Sequence, residues 1–297
     1  MKIIRTHIIP DDIEQIRLED YIRIKFPFFP SRKGVQKSIK RGQVLLDNNK
    51  TTPGTWLKPG QRIDWLELEK TVKEYPMKME VIFEDDYLAI INKPAGIIVS
   101  GNKHRTVVNA LGFFLKPSSK GDKLTHPQPA HRLDAQTSGL LLVGKTSSAL
   151  IFLNKLFESK QIIKEYTAIV QGEIPKYGII DTPVDGKKSK TKYNVKKYSR
   201  SLNNKWVSLV SLTPKTGRTH QLRIHLSDFG FPIVGDRIYG TEGNILKGKG
   251  LFLCATALKF NHPFTKEQIV CEIDPPEKFE QYMYRERKRW EYYESMK

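Results

Sequence analysis

Cysteine is nearly missing from this chain: Cys254 and Cys271 are the two in 297 residues. That excludes a disulfide-stapled scaffold and points to a reducing, cytoplasmic setting. Long apolar runs are missing as well. No stretch approaches the ~18 consecutive apolar residues that a membrane-spanning helix needs. Residues 1–12 are too short and too interrupted for a signal peptide. The seven histidines show no paired metal-ligand spacing. No repeat or low-complexity tract is visible, which sets aside solenoids and disordered linkers. Acidic residues are scarce beside basic ones: Asp+Glu number 32 against 50 Lys+Arg, a net charge of +18. Such an excess points to a polyanionic partner and is silent about fold. Nucleic acid is the first candidate and an anionic membrane surface the second.

What is present suffices for a packed interior. Hydrophobic residues make up 39% and aromatics 10%, too many for a disordered chain. The length fits one large domain and one small one.

Residues 1–70 read as separate from the rest. Leu18, Tyr21, Ile22 and Ile24 lead into an aromatic, proline-rich stretch. Ser31 is a suitable N-cap and Gly42 a suitable stop for a helix between them. Val35 and Ile39 lie four apart and can face a core. Arg32, Lys33, Lys37, Lys40 and Arg41 are left to the exposed side with no acidic residue among them. Exposed helical faces usually mix signs, so this one reads as a phosphate-contacting helix. Val44 to Lys50 then reads as a hairpin, and Leu57-Lys58-Pro59-Gly60 as a turn into a last strand. The segment resembles the alpha-L RNA-binding module of a small-subunit ribosomal protein and of many RNA-modifying enzymes. Ser31-Arg32, Ile39-Lys40-Arg41-Gly42-Gln43-Val44 and Leu57-Lys58-Pro59-Gly60 carry that likeness over residues 12–70. Residues 71–79 are expected to be a linker and 80–297 a second domain.

The second domain opens on two apolar runs around Glu84-Asp85-Asp86, expected as a hairpin ending at Pro94-Ala95-Gly96. Gly139 followed by Leu140-Leu141-Leu142-Val143 reads as a buried strand, which puts Asp134 on a loop just before a central strand. Thr146 can cap a helix carrying Leu150, Leu153 and Phe157 and running through Lys160. A strand through Glu165 and Val170 follows. Residues 187–205 form a basic stretch interleaved with Tyr193 and Tyr198, compatible with phosphate contact and with a lysine-guarded edge hairpin. Thr219 can cap, and Gly230 stop, a short helix that presents Leu222, Leu226 and Phe229 on one side and Arg223 with His220 on another. Residues 279 onward read as a terminal helix packed on the body.

Three stretches hold groups suited to chemistry: Arg132 with Asp134; Lys164-Glu165-Tyr166-Thr167-Ala168; and Gly217-Arg218-Thr219-His220-Gln221-Leu222-Arg223. Singly, an Asp before a strand is a turn residue and a strand Tyr is packing. Together, in this order, they resemble the signature blocks of the pseudouridine synthases of the ribosomal large-subunit type, the RluA family. Ile90-Ile91-Asn92-Lys93-Pro94-Ala95-Gly96 before them and Gly235-Asp236-Arg237-Ile238-Tyr239-Gly240 after them extend the likeness over residues 78–275. Residues 99–106 depart from the family pattern, as do Ala135-Gln136.

The resemblance implies an α+β domain: a mixed, mainly antiparallel sheet of about eight strands with flanking helices, plus the small helix-hairpin RNA-binding domain. It implies an RNA pseudouridine synthase, with large-subunit ribosomal RNA as the expected substrate. It makes Asp134 the catalytic aspartate, Tyr166 the active-site aromatic, Arg223 the basic partner binding the carboxylate, and Arg132 the residue that fills the gap left by an extruded nucleotide. The isomerisation is redox-neutral, so no cofactor and no metal are expected. RNA is the partner; no membrane or protein partner is implied, and a monomer is expected. The same chemistry on transfer RNA, and a non-catalytic RNA-binding or ribosome-assembly role on this fold, are the competing readings.

Overall fold

The computed structural model describes residues 2–26, 32–67 and 74–297. The chain forms two compact units, Met1–Lys73 and Glu74–Lys297. Among the described residues no helix is long and apolar enough to cross a membrane.

In the first unit a four-stranded antiparallel sheet carries two helices. Its elements are β1 (Lys2–Ile8), α1 (Leu18–Lys25), α2 (Arg32–Lys40), β2 (Val44–Leu46), β3 (Asn49–Lys50) and β4 (Arg62–Glu67), with strand order β1-β4-β2-β3. Leu18, Tyr21 and Ile22 of α1 pack on Val35 and Ile39 of α2 and on Ile63 and Trp65 of β4. Ile24 stays outside this core, 66% exposed. The β2–β3 hairpin turns on Asp47 and Asn48, both with positive φ (50° and 64°). Asx residues tolerate that conformation, and the resulting two-residue turn matches strand twist. Gly42 at φ 71° stops α2 as expected, whereas the expected cap, Ser31, lies outside the described residues. Strand β1 precedes the alpha-L likeness and was not foreseen from it.

The expected linker is not a tether over residues 74–79. Tyr75 donates its N–H to the Asn109 carbonyl at 2.9 Å and packs against His104, and Met79 is buried. Residues 71–73 lie outside the described residues.

The second unit holds β5 (Glu80–Glu84), β6 (Leu88–Lys93), α3 (Val107–Phe114), β7 (Lys123–Pro129), β8 (Ser138–Thr146), α4 (Ser147–Glu158), β9 (Ile163–Gln171), β10 (Tyr177–Ile180), β11 (Thr191–Ser201), β12 (Lys205–Pro214), α5 (Gln221–Asp228), β13 (Leu253–Asn261), β14 (Gln268–Glu272) and α6 (Lys278–Glu294). Its sheet has ten strands among the described residues, more than the eight expected. Eight follow the order β10-β11-β12-β9-β13-β8-β6-β5, while β14 and β7 pair off that path with β13 and β8. All pairs are antiparallel except β8 with β13. The basic hairpin β11–β12 is therefore not the edge throughout, because β10 covers Thr191 to Asn194.

Strand β8 is buried along its whole length. Leu141 and Val143 share one core with Val107, Ala110 and Leu111 of α3, while Leu140 and Leu142 share another with Leu153 and Leu156 of α4. A continuous apolar run rather than an alternating one is what a strand covered on both faces requires. Thr146 caps α4 by accepting from the Ala149 N–H at 3.1 Å, and the helix ends at Glu158, two residues short of the expected end. A third core gathers Leu222 and Leu226 of α5 with Phe279, Tyr282 and Met283 of α6.

Gly139 lets β8 approach β13. A Cβ there would stand 2.2 Å from the Ala255 carbonyl oxygen, and its φ is +108°. Both the close backbone crossing and the positive φ demand glycine at this position.

Candidate active site

Asp134 sits on a loop held from several sides. Leu133 beside it is buried in the core under α3. The Asp134 carbonyl accepts from the Thr137 N–H at 3.1 Å, and the Ala135 carbonyl from the Gly96 N–H at 2.7 Å. His131 Nε2 accepts from the Leu142 N–H at 3.0 Å, tying the loop to β8. Burial, aided by the nearby Lys164 charge, pushes the His131 ring down to about 3, so it stays neutral and keeps that acceptor.

Lys93 adds the least expected support. Its side chain is fully buried, and Nζ donates to the carbonyls of Pro94 (2.9 Å), Ile97 (2.9 Å) and Ala135 (3.2 Å). Desolvation brings its pKa down to about 8, with the negative charge of Asp134 acting the other way. The Lys93-Pro94 block was visible in the sequence, but not that the ammonium ties two loops together beneath Asp134.

Arg223 comes from the first turn of α5. That helix starts at Gln221, and its capping residue is His220 in a left-handed conformation (φ 54°), not the expected Thr219. His220 Nε2 then lies 3.7 Å, and Arg223 Nη1 3.8 Å, from the same oxygen of Asp134. Arg223 does not grip Asp134 bidentately. Its fork closes on Asp236 instead: Nε to Oδ2 and Nη2 to Oδ1, each 2.7 Å. Asp236 Oδ1 accepts two more bonds, from the N–H groups of Ile238 (2.9 Å) and Tyr239 (3.1 Å). Burial works against the Arg223 charge. The Asp236 bonds and the charges of Asp236 and Asp134 outweigh it and hold the guanidinium above its ordinary value. Burial likewise opposes the Asp236 charge and is overcome, chiefly by Arg223, which leaves this carboxyl below its usual range.

Two further groups complete this wall. His220 Nδ1 is 3.0 Å from the Tyr239 hydroxyl, and the Arg223 guanidinium lies 5.0 Å from the centre of the Tyr239 ring. Gln221, buried at the start of α5, accepts from Thr216 Oγ1 (2.7 Å) and the Arg218 N–H (3.1 Å) and donates to Thr191 Oγ1 (3.0 Å). It locks the loop before α5 against β11. His225 is a positional hydrogen-bonder, bonded to Thr191, Thr182 and Ser189, whereas His220 faces the cleft.

Tyr166 lies on β9, opposite Leu212 of β12 and Ala255 of β13. Burial, then the charge of Asp134, then Cys254 push its phenol pKa well up, so the hydroxyl stays protonated.

Asp134, Tyr166, Arg223 and Arg132 all line one cleft of about 1170 Å³, together with Leu222, His220 and the basic side chains of Lys164, Lys188, Lys190, Lys215 and Arg218. Arg132 is exposed at its margin. The remaining expected RNA-contacting residues belong to the first unit. Lys33, Lys37, Lys40 and Arg41 are exposed on α2 and the turn after it. Arg32, expected as an unneutralised charge, is instead paired with buried Glu19 at 2.5 Å. Among the described residues no group of three His, Cys, Asp or Glu side chains could hold a metal ion.

The sequence model for RNA pseudouridylate synthases matches residues 87–228. An uncharacterized RNA pseudouridine synthase of Aquifex aeolicus is 32% identical over 295 residues, covering 90% of this chain and 92% of its own. The chain belongs to the RNA pseudouridine synthases, in the RluA-type branch. The ribosomal large subunit pseudouridine synthase D of Xanthomonas campestris is 29% identical, with 94% and 92% covered. Among solved structures, the human RNA pseudouridylate synthase domain containing 1 superposes with a TM-score of 0.57 at 24% identity, over 68% of this chain and 85% of that one. The ten-stranded sheet is thus a pseudouridine synthase fold, and the cleft opens beside its single parallel seam.

Proposed function

We propose that this synthase isomerises uridine in large-subunit ribosomal RNA and that Asp134 carries the reaction. The observation behind this reading is one carboxylate on a rigid loop, with two nitrogen-bearing side chains within 3.8 Å and an aromatic ring in the same cleft. The names of relatives such as the Xanthomonas enzyme support the ribosomal substrate. In the isomerisation the bond from N1 to C1′ breaks and a bond from C5 to C1′ forms. N1 ends with a proton and C5 gives one up, so no electrons are exchanged. A carboxylate can assist by attacking the sugar or base, or by taking a sugar proton. Arg223 supplies positive charge beside it, and its fixed bond to Asp236 means that this charge need not reorganise during reaction.

The target base has to leave its stack, at a cost of a few kcal/mol. Stacking on Tyr166 returns about 1–3 kcal/mol. The protonated phenol fits stacking and hydrogen-bond donation, not proton removal. Arg132 at the margin fills the gap left in the helix. Residues 1–70 act as a separate RNA-binding module through Lys33, Lys37, Lys40 and Arg41, and the lysines of β11 extend the phosphate-binding surface from the cleft. No partner beyond RNA is needed, and the enzyme acts as a monomer in the cytoplasm.

The test is tritium release from RNA labelled at uracil C5. Release is expected from large-subunit ribosomal RNA, with Asp134→Asn abolishing it while binding RNA as tightly as wild type. Release from transfer RNA alone would move the substrate. No release from either RNA, or a fully active Asp134→Asn, would overturn the reading.

A further inference from the structure

Lys164 stands two residues before Tyr166 on β9. Alternate residues of a strand share a face, about 6–7 Å apart, and both side chains line the cleft. The Lys164 ammonium reaches toward the loop ahead of α5: a Cβ on Gly217 would lie 3.8 Å from Nζ. Burial alone lowers its pKa; no carboxylate raises it. Among the described residues no acidic group pairs with it, although Glu158 and Asp181 border the same cleft. Asp134 is turned to His220 and Arg223. Nζ lies 5.7 Å from the centre of the Phe157 ring, and its charge also bears on the neutral His131 ring. The surrounding side chains compound the imbalance, since Lys160, Lys188, Lys190, Lys215 and Arg218 also line this wall.

A partly desolvated cation without a counter-charge is costly unless something arrives to neutralise it. We propose that Lys164 seats one phosphodiester of the substrate strand, the one attached to the nucleotide whose base meets Tyr166. This rests on reading the cleft as the uridine site. Base and phosphate of a single nucleotide are then held by neighbours on one rigid strand, the ring taking the base and the ammonium taking the phosphate. A sheet places such a pair more precisely than a mobile loop would. Lys164 is a positioning residue: it binds a part of the substrate that does not react.

The decisive experiment is phosphate-ethylation interference on large-subunit ribosomal RNA and on bulk transfer RNA, with wild type, Lys164→Gln and Lys164→Arg. Wild type should show a set of phosphates whose ethylation blocks binding. Lys164→Gln should lose one of them, next to the uridine that releases tritium, and Lys164→Arg should retain it. Lys164→Gln should raise KM about tenfold, the loss of one charge-assisted bond, with kcat within twofold. The salt dependence of its affinity should fall by about 0.7–0.9, the share of one phosphate. An unchanged interference set, or no interference on either RNA, overturns the proposal. So does a fall in kcat at unchanged KM, which would place the charge in the chemistry. An enzyme that releases no tritium removes the uridine-site reading, while the interference set still decides whether Lys164 meets a phosphate.

Discussion

Asp236 takes Nε and Nη2 of the Arg223 guanidinium, each at 2.7 Å, and leaves Nη1 to face Asp134, at 3.8 Å. The guanidinium is clamped from behind by one carboxylate and presented to another. Asp236→Asn should keep the shape but release the clamp. A misplacement of about 1 Å is enough for a ~100-fold loss of rate, so kcat for tritium release should fall by about 10- to 100-fold with RNA affinity unchanged. Weakening a buried pair from one side should also cost about 3 kcal/mol of stability, seen in urea unfolding. Unaltered kcat would mean that the clamp is structural only.

Tyr166 separates stacking from base catalysis. Its phenol is held protonated by burial and by Asp134. Tyr166→Phe, which keeps the ring, should therefore retain turnover within a few-fold. Tyr166→Ala should lose about 10- to 100-fold in kcat/KM, the worth of one stacked base. An inactive Tyr166→Phe enzyme would show that the hydroxyl itself is required.

Acid should loosen the Asp134 loop through His131. The ring titrates near 3 in the folded chain against its ordinary 6.5. The folded state therefore binds fewer protons between those values. The stabilisation is complete above 6.5 and is lost as pH falls toward 3, by up to about 1.4 kcal/mol per pH unit. Urea midpoints measured from pH 7 down to 4 should drop, and should drop less steeply in His131→Gln, which cannot take up the proton.

The exposed cations of α2 should not be equivalent. Replacing Lys33, Lys37 and Lys40 together by Gln should lower the salt slope of RNA binding by about 2–3, one phosphate for each lysine. Arg32→Gln should instead leave that slope nearly intact and destabilise the first unit, because Arg32 is committed to Glu19.

Much of this molecule could be read from local pattern. The β5–β6 hairpin, the wholly buried β8 with its Thr146-capped helix, and the paired strands on either side of Asp47 and Asn48 all carry turn or capping chemistry within a few residues. Strands β1, β7 and β10 carry no such signal; they exist because β4, β8 and β11 offer them partners. The same division runs through the site. Asp134, Tyr166 and Arg223 stood out because their blocks are distinctive in sequence. That Arg223 would spend its fork on Asp236, that His220 would turn left-handed, or that the Lys93 ammonium would lie beneath Asp134 depends on approaches between distant segments, which no local pattern encodes.

The parallel pairing of Ser138 and Gly139 with Cys254 and Ala255 joins strands more than a hundred residues apart in the chain. Contacts of that span form late, since the entropy of closing so large a loop has to be met first. The first of these strands leads on from the Asp134 loop, and Leu253 on the second shares a core with Leu222 beside Arg223, so this pairing helps bring the acid and the guanidinium face to face. A half-folded chain, still strongly cationic, could cling to RNA but would leave its uridines untouched: adhesion precedes chemistry, and completion of the sheet is what arms the enzyme.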